Sequence, residues 1–448
     1  MIADSVLTNA KAYFRGQIVD CCIAIDDGKI EKIGKETQMP KSDEKTDLHN
    51  LLVLPGLIDE HVHLRDEGRA YKEDFSTGTA AAAAGGFTTV LDMPNNDPVT
   101  MSVATLKNRM RTASPKIYVN VGFYSEFPKK NTEIKEIVAA GAVGFKLFMG
   151  CQTGGLNIDD DQELVIAFKE VASSQIPLAV HAENRAMLEI NEQKLKQSKK
   201  RALSDFLRVH TETVEQTSIQ RLLKLTRQID IKLHFCHVST ERGLNEISEA
   251  KTTNRIVSCE VTTNHLMLST ENLEQYGPLL IMAPPLRNKK NVEELWKGIT
   301  NGLVDAIGSD HAPHTIDEKN SANVWDIKVG VPGLETTLPL MITSVKKNKL
   351  TINKLVDLLA EKPARIFGLK DRGAIEQGKN ADLTIIDFNR LFRIDASKFN
   401  SKAKFSPYNE WEVYGKPMKT IVNGKLVFED NDIITKGGTG SVIRRDTI

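Results

Sequence analysis

The stretch Leu54-Pro55-Gly56-Leu57-Ile58-Asp59-Glu60-His61-Val62-His63 decides how this chain is read. An apolar run, residues 53–58, leads to two histidines separated by one residue. Residues i and i+2 of a strand face the same side, so both imidazoles would leave the strand end in one direction. That arrangement suits a metal ion. Outward from this stretch, strand-like and helical segments alternate. Residues 88–93, 143–148, 176–180, 231–236, 256–261 and 306–309 read as strands. Residues 75–85, 134–140, 161–173, 218–226, 241–250 and 292–301 read as helices. The alternation predicts an α/β fold, a (β/α)8 TIM-like barrel. A doubly wound open sheet is the alternative. No G-x-G-x-x-G follows the first strand, which weakens its dinucleotide-binding version.

Both chain ends have a different texture. Residues 6–10 and 22–25 read as strands, and Asp26-Asp27-Gly28-Lys29 as a hairpin turn. Residues 382–387 and 411–413 also read as strands, and 418–422 and 425–429 flank the turn Asn423-Gly424. Residues 1–54 plus 372–434 are therefore expected to form one small β-sandwich domain, around a barrel of residues 55–371. Residues 435–448, with Gly437, Gly438 and Gly440, read as a tail that docks on a neighbour or stays mobile.

Composition narrows the function. The 448 residues are 40% hydrophobic and 26% charged, an ordinary globular balance. Lys plus Arg is 59 and Asp plus Glu is 59, so bulk charge does not recruit a nucleic acid. No apolar run is long enough for a membrane span, and residues 1–11 do not read as a signal peptide. The cysteines, Cys21, Cys22, Cys151, Cys236 and Cys259, show no CxxC spacing. They fit a reduced cytoplasmic protein.

Further polar residues stand at strand ends. His181 follows residues 176–180, His237 follows 231–236, and Asp310 follows 306–309. Barrel strands converge at one mouth, so these groups can meet His61 and His63. His311 reads as support for the site. His234, three residues before His237, reads as facing the opposite way. His49, His210 and His265 are poor ligand candidates by position. Lys146 ends an apolar run inside the barrel, where a lysine is costly unless paired or chemically changed. It is either a salt-bridged ammonium or an Nζ carbamate formed with CO2.

These residues resemble the dihydroorotase family, cyclic amidohydrolases of the amidohydrolase superfamily, over nearly the whole chain. The matching elements are residues 55–65, Gly85-Gly86-Phe87-Thr88-Thr89, Met93-Pro94-Asn95, Gly144-Phe145-Lys146, His181-Ala182-Glu183-Asn184, His237-Val238-Ser239-Thr240 and Asp310-His311-Ala312-Pro313-His314. The resemblance implies two Zn2+ ions per chain, bridged by a carboxylated Lys146 and a hydroxide. His61 and His63 resemble the ligands of one ion, and His181 and His237 those of the other. Asp310 resembles the aspartate that binds metal and moves the proton. Arg65, Asn95 and His314 match the residues that hold the substrate carboxylate. No organic cofactor is implied.

The reaction implied is reversible hydrolysis of L-dihydroorotate to N-carbamoyl-L-aspartate, a step of pyrimidine biosynthesis. Lys72-Glu73-Asp74 and Pro332-Gly333-Leu334-Glu335-Thr336 resemble dihydroorotase more than hydantoinase or allantoinase. Two departures keep an allantoinase or a related hydantoinase-like cyclic amidohydrolase as the alternative. Ala283 precedes Pro284-Pro285-Leu286-Arg287 where the family has Asn, and Thr263-Asn264 stand where it has Pro-His. A non-catalytic barrel acting as a scaffold is a further alternative, against which the full ligand set stands. The expected partners are a small-molecule substrate, a second copy in a homodimer and, as in some relatives, aspartate carbamoyltransferase.

Overall fold

The computed structural model describes residues 2–253 and 256–444. Eight strands form the barrel in chain order: Leu57–Val62, Phe87–Asp92, Asn120–Ser125, Gly144–Phe148, Pro177–His181, Lys232–Phe235, Val257–Thr262 and Ala306–Gly308. Every neighbouring pair is parallel. The ring closes where Val62 bridges His311 and the His63 N–H donates to the His311 carbonyl at 2.9 Å. Helices cover the outside, and side chains at their N-termini fix where they start. Asp160 Oδ1, for example, accepts from the N–H groups of Gln162 and Glu163 at 2.8 and 3.1 Å.

Seven of these strands follow the sequence pattern. The third, Asn120–Ser125, does not, nor does the preceding helix Val103–Ala113. Gly122 and the polar ends Asn120 and Ser125 interrupt the apolar run. Asn120 is polar because it joins the two sheets. Its Nδ2 donates to Asp382 at 3.1 Å and its Oδ1 accepts from Asn423 Nδ2 at 2.8 Å.

The second body is a mixed sheet of nine strands built from both chain ends. Ile2–Phe14, Gln17–Asp26, Lys29–Gly34, Lys41–Asp47 and Leu52–Pro55 come from the N-terminal side. Leu383–Arg393, Glu412–Val422, Lys425–Glu429 and Asp432–Ile433 come from the other. Leu52–Pro55 pairs antiparallel with Leu383–Arg393 and so joins the two halves. A bulge between Leu7 and Ala10, with Asn9 at φ 52°, divides the long first strand. Its first half pairs with Lys41–Asp47 and its second with Leu52 and Val53. The expected strands 411–413 and 418–422 are one strand, Glu412–Val422. Pro417 sits there at a register irregularity.

The apolar run 53–58 is split between the two sheets at Gly56. A Cβ there would lie 2.2 Å from Thr88 Oγ1 and 2.8 Å from Asp382 Cβ, so glycine is required by close approach. Residues 435–444 of the tail dock on the third barrel strand. Val442 bridges Val121, and the Ile443 N–H donates to the Val121 carbonyl at 2.8 Å. Residues 445–448 lie outside the described residues. Among the described residues, no helix is long and apolar enough to cross a membrane.

One buried ion pair holds the loop that carries the first site residues. Asp92 Oδ2 accepts from Arg109 Nε at 2.7 Å, and Asp92 Oδ1 from the Leu64 N–H at 2.9 Å. Arg109 Nη1 also donates to the Asp66 carbonyl. Both side chains are buried. Replacing Asp92 by Ala strands a buried guanidinium, so a stability loss of about 3–5 kcal/mol is expected. Urea unfolding checks it: the midpoint should fall while the slope stays constant.

Candidate active site

The residues at the C-terminal ends of the barrel strands converge, as barrel geometry requires. His61 is the penultimate residue of the first strand, and both it and His63 turn Nε2 toward Asp310, which lies two residues past the eighth strand. The distances to Asp310 Oδ1 are 3.5 Å from His61 and 3.2 Å from His63. His181 ends the fifth strand and His237 lies two residues past the sixth. His181 Nδ1 faces His237 Nε2 at 3.0 Å. The His61 and His237 rings lie 5.1 Å apart, so the two groups adjoin. Lys146 is fully buried in the fourth strand, with Nζ 2.9 Å from Cys236 Sγ. Among the described residues it has no carboxylate within ion-pair distance.

Hydrogen bonds behind the imidazoles fix which nitrogen faces inward; the tautomers are assigned from these partners. His61 Nδ1 meets Glu260 Oε1. His63 Nδ1 meets Asn95 Oδ1 at 2.7 Å, and His181 Nε2 meets Glu183 Oε2 at 2.9 Å. Each acceptor takes the ring proton and leaves a lone pair pointing into the site. Burial, with the nearby Lys146 charge, holds His61 below the usual imidazole range. Burial also holds His63 and His237 well below it, helped by Arg65 and His181 respectively. Neutral imidazoles are the form that binds metal.

The Nε2 lone pairs of His61 and His63 converge on the carboxylate oxygen Asp310 Oδ1, an arrangement that repels unless a cation or a proton lies between them. His61, His63 and Asp310 offer three donor atoms within 4.8 Å of one another. His181 and His237 offer two more, and His237 Nδ1 is buried without a partner. The donor set therefore fits a binuclear metal centre. Nitrogen and carboxylate oxygen together suit zinc, and they also accept cobalt or manganese.

Glu260 is the site residue that sequence reasoning missed. It lies in the seventh strand, fully buried. One oxygen meets His61 Nδ1, and the other meets His234 Nε2 at 3.0 Å. It also accepts from the His237 N–H at 3.1 Å. Burial raises its carboxyl, but the His61 and His234 imidazoles outweigh that and hold it well below the usual range. The expectation that His234 faces away is corrected here: it lies inside the barrel on Glu260. Simple alternation fails because His237 has a left-handed backbone, φ 37°. His210 was also passed over. It lines the cavity, with Nδ1 2.8 Å from Glu183 Oε1. Glu260→Gln should leave the fold intact and weaken metal affinity about 10–100-fold, because His61 loses its orienting anion. Metal titration of the apo protein checks this.

A cavity of about 570 Å3 opens above these groups, a size suited to a small molecule. Arg65, Asn95 and His314 all line it. Asn95 and His314 are partly committed. Asn95 Oδ1 serves His63, His314 Nε2 donates to the Val329 carbonyl at 3.0 Å, and His314 Nδ1 accepts from Lys72 Nζ at 3.2 Å. Burial, with Arg65 and Lys72 beside it, pushes His314 down to about 3, so it is neutral. Arg65 differs. Its Nε is buried with no partner, and no carboxylate pairs with it among the described residues. Burial pushes its guanidinium down to about 10. His311 backs the site: its Nδ1 accepts from the Gly333 N–H at 3.2 Å and its Nε2 lies 3.4 Å from Glu73.

Comparison with known proteins follows the same residues. The profile of the Amidohydrolase family matches residues 52–427, from the last N-terminal strand to the C-terminal sheet. The chain belongs to this family. A dihydroorotase of Methanothermobacter thermautotrophicus is 36% identical over 93% of both chains. An L-hydantoinase of Paenarthrobacter aurescens is 32% identical over 99% of this chain and 98% of its own. Among solved structures, the L-hydantoinase (dihydropyrimidinase) of Arthrobacter aurescens superposes with a TM-score of 0.95 at 31% identity. It covers 99% of this chain and all of its own. A D-hydantoinase (dihydropyrimidinase) of Thermus sp. gives 0.92 at 25% identity, over 99% of each chain. The protein is a metal-binding amidohydrolase-fold enzyme, similar to dihydroorotases and hydantoinases alike.

Proposed function

We propose that this amidohydrolase opens and closes the ring of L-dihydroorotate, with N-carbamoyl-L-aspartate as the open form. The observation that carries this reading is Arg65, a buried guanidinium on the cavity wall with no acid partner. A substrate carboxylate would complete it with charge-assisted hydrogen bonds. His61 and His63 would hold one metal ion, and His181 and His237 the other. Lys146, as its carbamate, would bridge them. When bound, two Zn2+ ions supply Lewis acidity and lower the pKa of water.

The chain's own residues do the rest. Arg65 anchors the carboxylate and sets the ring amide over the metal centre. Asp310 takes a proton from the attacking water and delivers it to the ring nitrogen as the C–N bond breaks. Burial holds the Asp310 carboxyl above the usual range, although the His61 and Lys146 charges oppose this.

A hydantoin-type ring is the second reading. The 0.95 TM-score to an L-hydantoinase favours it, as does Ala283 on the cavity wall. The test is a side-by-side assay of metal-replete protein on dihydroorotate, allantoin and hydantoin. Preference for dihydroorotate supports the first reading. Preference for either uncharged ring rejects it.

A further inference from the structure

Behind one wall of the cavity lies a lysine that the proposed chemistry does not use. Lys319 is fully buried at the end of a single helical turn, Ile316–Lys319. Its Nζ donates to three carbonyls: Ile281 at 2.7 Å, Lys328 at 3.0 Å and Gly330 at 3.0 Å. Three acceptors match the three N–H bonds of an ammonium; a neutral amine would turn a lone pair toward one of them. No carboxylate pairs with Lys319 among the described residues, and burial pushes its amine down to about 7. A buried, unpaired cation is costly, and an apolar side chain would fill the space without that cost.

What the three carbonyls belong to gives the lysine its role. Ile281 begins the segment that reaches Ala283, and Ala283 lines the cavity. Lys328, Val329 and Gly330 form the facing segment, and all three line the cavity too. The segments meet directly through one bond, from the Gly330 N–H to the Ile281 carbonyl at 3.0 Å. Lys319 adds three more bonds from behind. The Val329 carbonyl accepts from His314 Nε2, so this segment also sets the His314 ring. Lys319 is 9 residues beyond Asp310 and touches none of the proposed metal donors.

We propose that Lys319 is a positioning residue for substrate: its buried ammonium clamps the 281–283 and 328–330 segments and so fixes the wall that holds Ala283, Val329 and His314 against the ring. This rests on the cavity being the substrate site, but not on which ring occupies it.

The test is Lys319→Met in the metal-replete enzyme, assayed on whichever of dihydroorotate, allantoin or hydantoin the wild type hydrolyses best. The KM is expected to rise about tenfold or more, the effect of losing hydrogen bonds from a charged donor, with kcat changed much less. Metal content should be unchanged. Hydrogen exchange of residues 281–283 and 328–330 should quicken, and this second measurement stands even if none of the three rings is turned over. In that case the substrate reading fails while the clamp is still tested. A merely structural lysine would lower the melting temperature without separating KM from kcat. If Lys319→Met does not fold, Lys319→Gln, which retains two N–H donors, should show a smaller rise in KM. Wild-type KM and exchange in either folded variant overturns the proposal. So does failure of both to fold, because that assigns Lys319 to stability alone.

Discussion

Replacing Asp310 by asparagine is expected to lower turnover about 10²-fold or more, because the variant keeps the size of the side chain and loses the base. Asp310 Oδ1 faces both His61 and His63, so the substitution also weakens a metal donor. Activity must therefore be read beside metal content. A fully metallated Asp310→Asn protein with a large fall in kcat and little change in KM locates the defect in proton transfer. A fall that tracks metal loss locates it in binding. Near-normal turnover at full metal content would remove Asp310 from the proposed mechanism. The left-handed backbone at Asp310, φ 45°, and at His237, φ 37°, shows how the two groups reach the centre. Each lies beyond the last regular residue of its strand, where the chain must bend to aim the side chain inward.

That bend explains what was legible in the sequence and what was not. His61 and His63 still turn Nε2 to the same Asp310 oxygen, as the two-residue rule expects, although the pairing register of the first strand shifts between Asp59 and Val62. His181 is itself the last residue of its strand. The positions of His237 and Asp310 could be read, because a polar residue just past an apolar run marks a strand end. The direction of His234 could not, because alternation was carried across a turn that breaks it. Glu260 was overlooked for a different reason. It stands among apolar neighbours in a strand, and the run was read for its hydrophobicity alone. The argument that singled out Lys146 applies equally to it: a charge in a buried strand needs a partner. Its partners, His61 and His234, lie 199 and 26 residues away in sequence, so no local pattern names them.

The barrel shows the same limit. Seven strands announce themselves by apolar runs. Asn120–Ser125 does not, because its polar ends serve contacts that only the tertiary fold creates. Asn120 meets Asp382, Asn423 and Ser441, all from the far end of the chain. Residues 414–417 lie outside the expected strands 411–413 and 418–422, and the sheet absorbs Pro417 at a register shift instead. Local punctuation is overridden where the partner strand can slip by one residue.

Arg65→Met is expected to separate the two substrate readings. Arg65 lies two residues beyond His63, on a backbone with φ 62°, and its guanidinium is buried on the cavity wall. Methionine keeps much of the length and none of the charge. If a dihydroorotate carboxylate sits against Arg65, the variant leaves that anion desolvated and short of a partner. The expected loss in kcat/KM is about 2–5 kcal/mol, the range for truncating one member of a buried charged pair. That corresponds to about 30- to 5,000-fold. Hydantoin and allantoin carry no such carboxylate and should lose far less. Both metals should stay bound, since His61 and His63 are held from behind by Glu260 and Asn95 rather than by Arg65. The guanidinium also lowers His63 by its charge, so its removal should not weaken that imidazole as a donor. Unchanged dihydroorotate turnover in the metallated variant would sink the carboxylate pocket. Ala283, where an asparagine was expected, would then be the better guide, and the uncharged cyclic ureides would become the substrates to pursue.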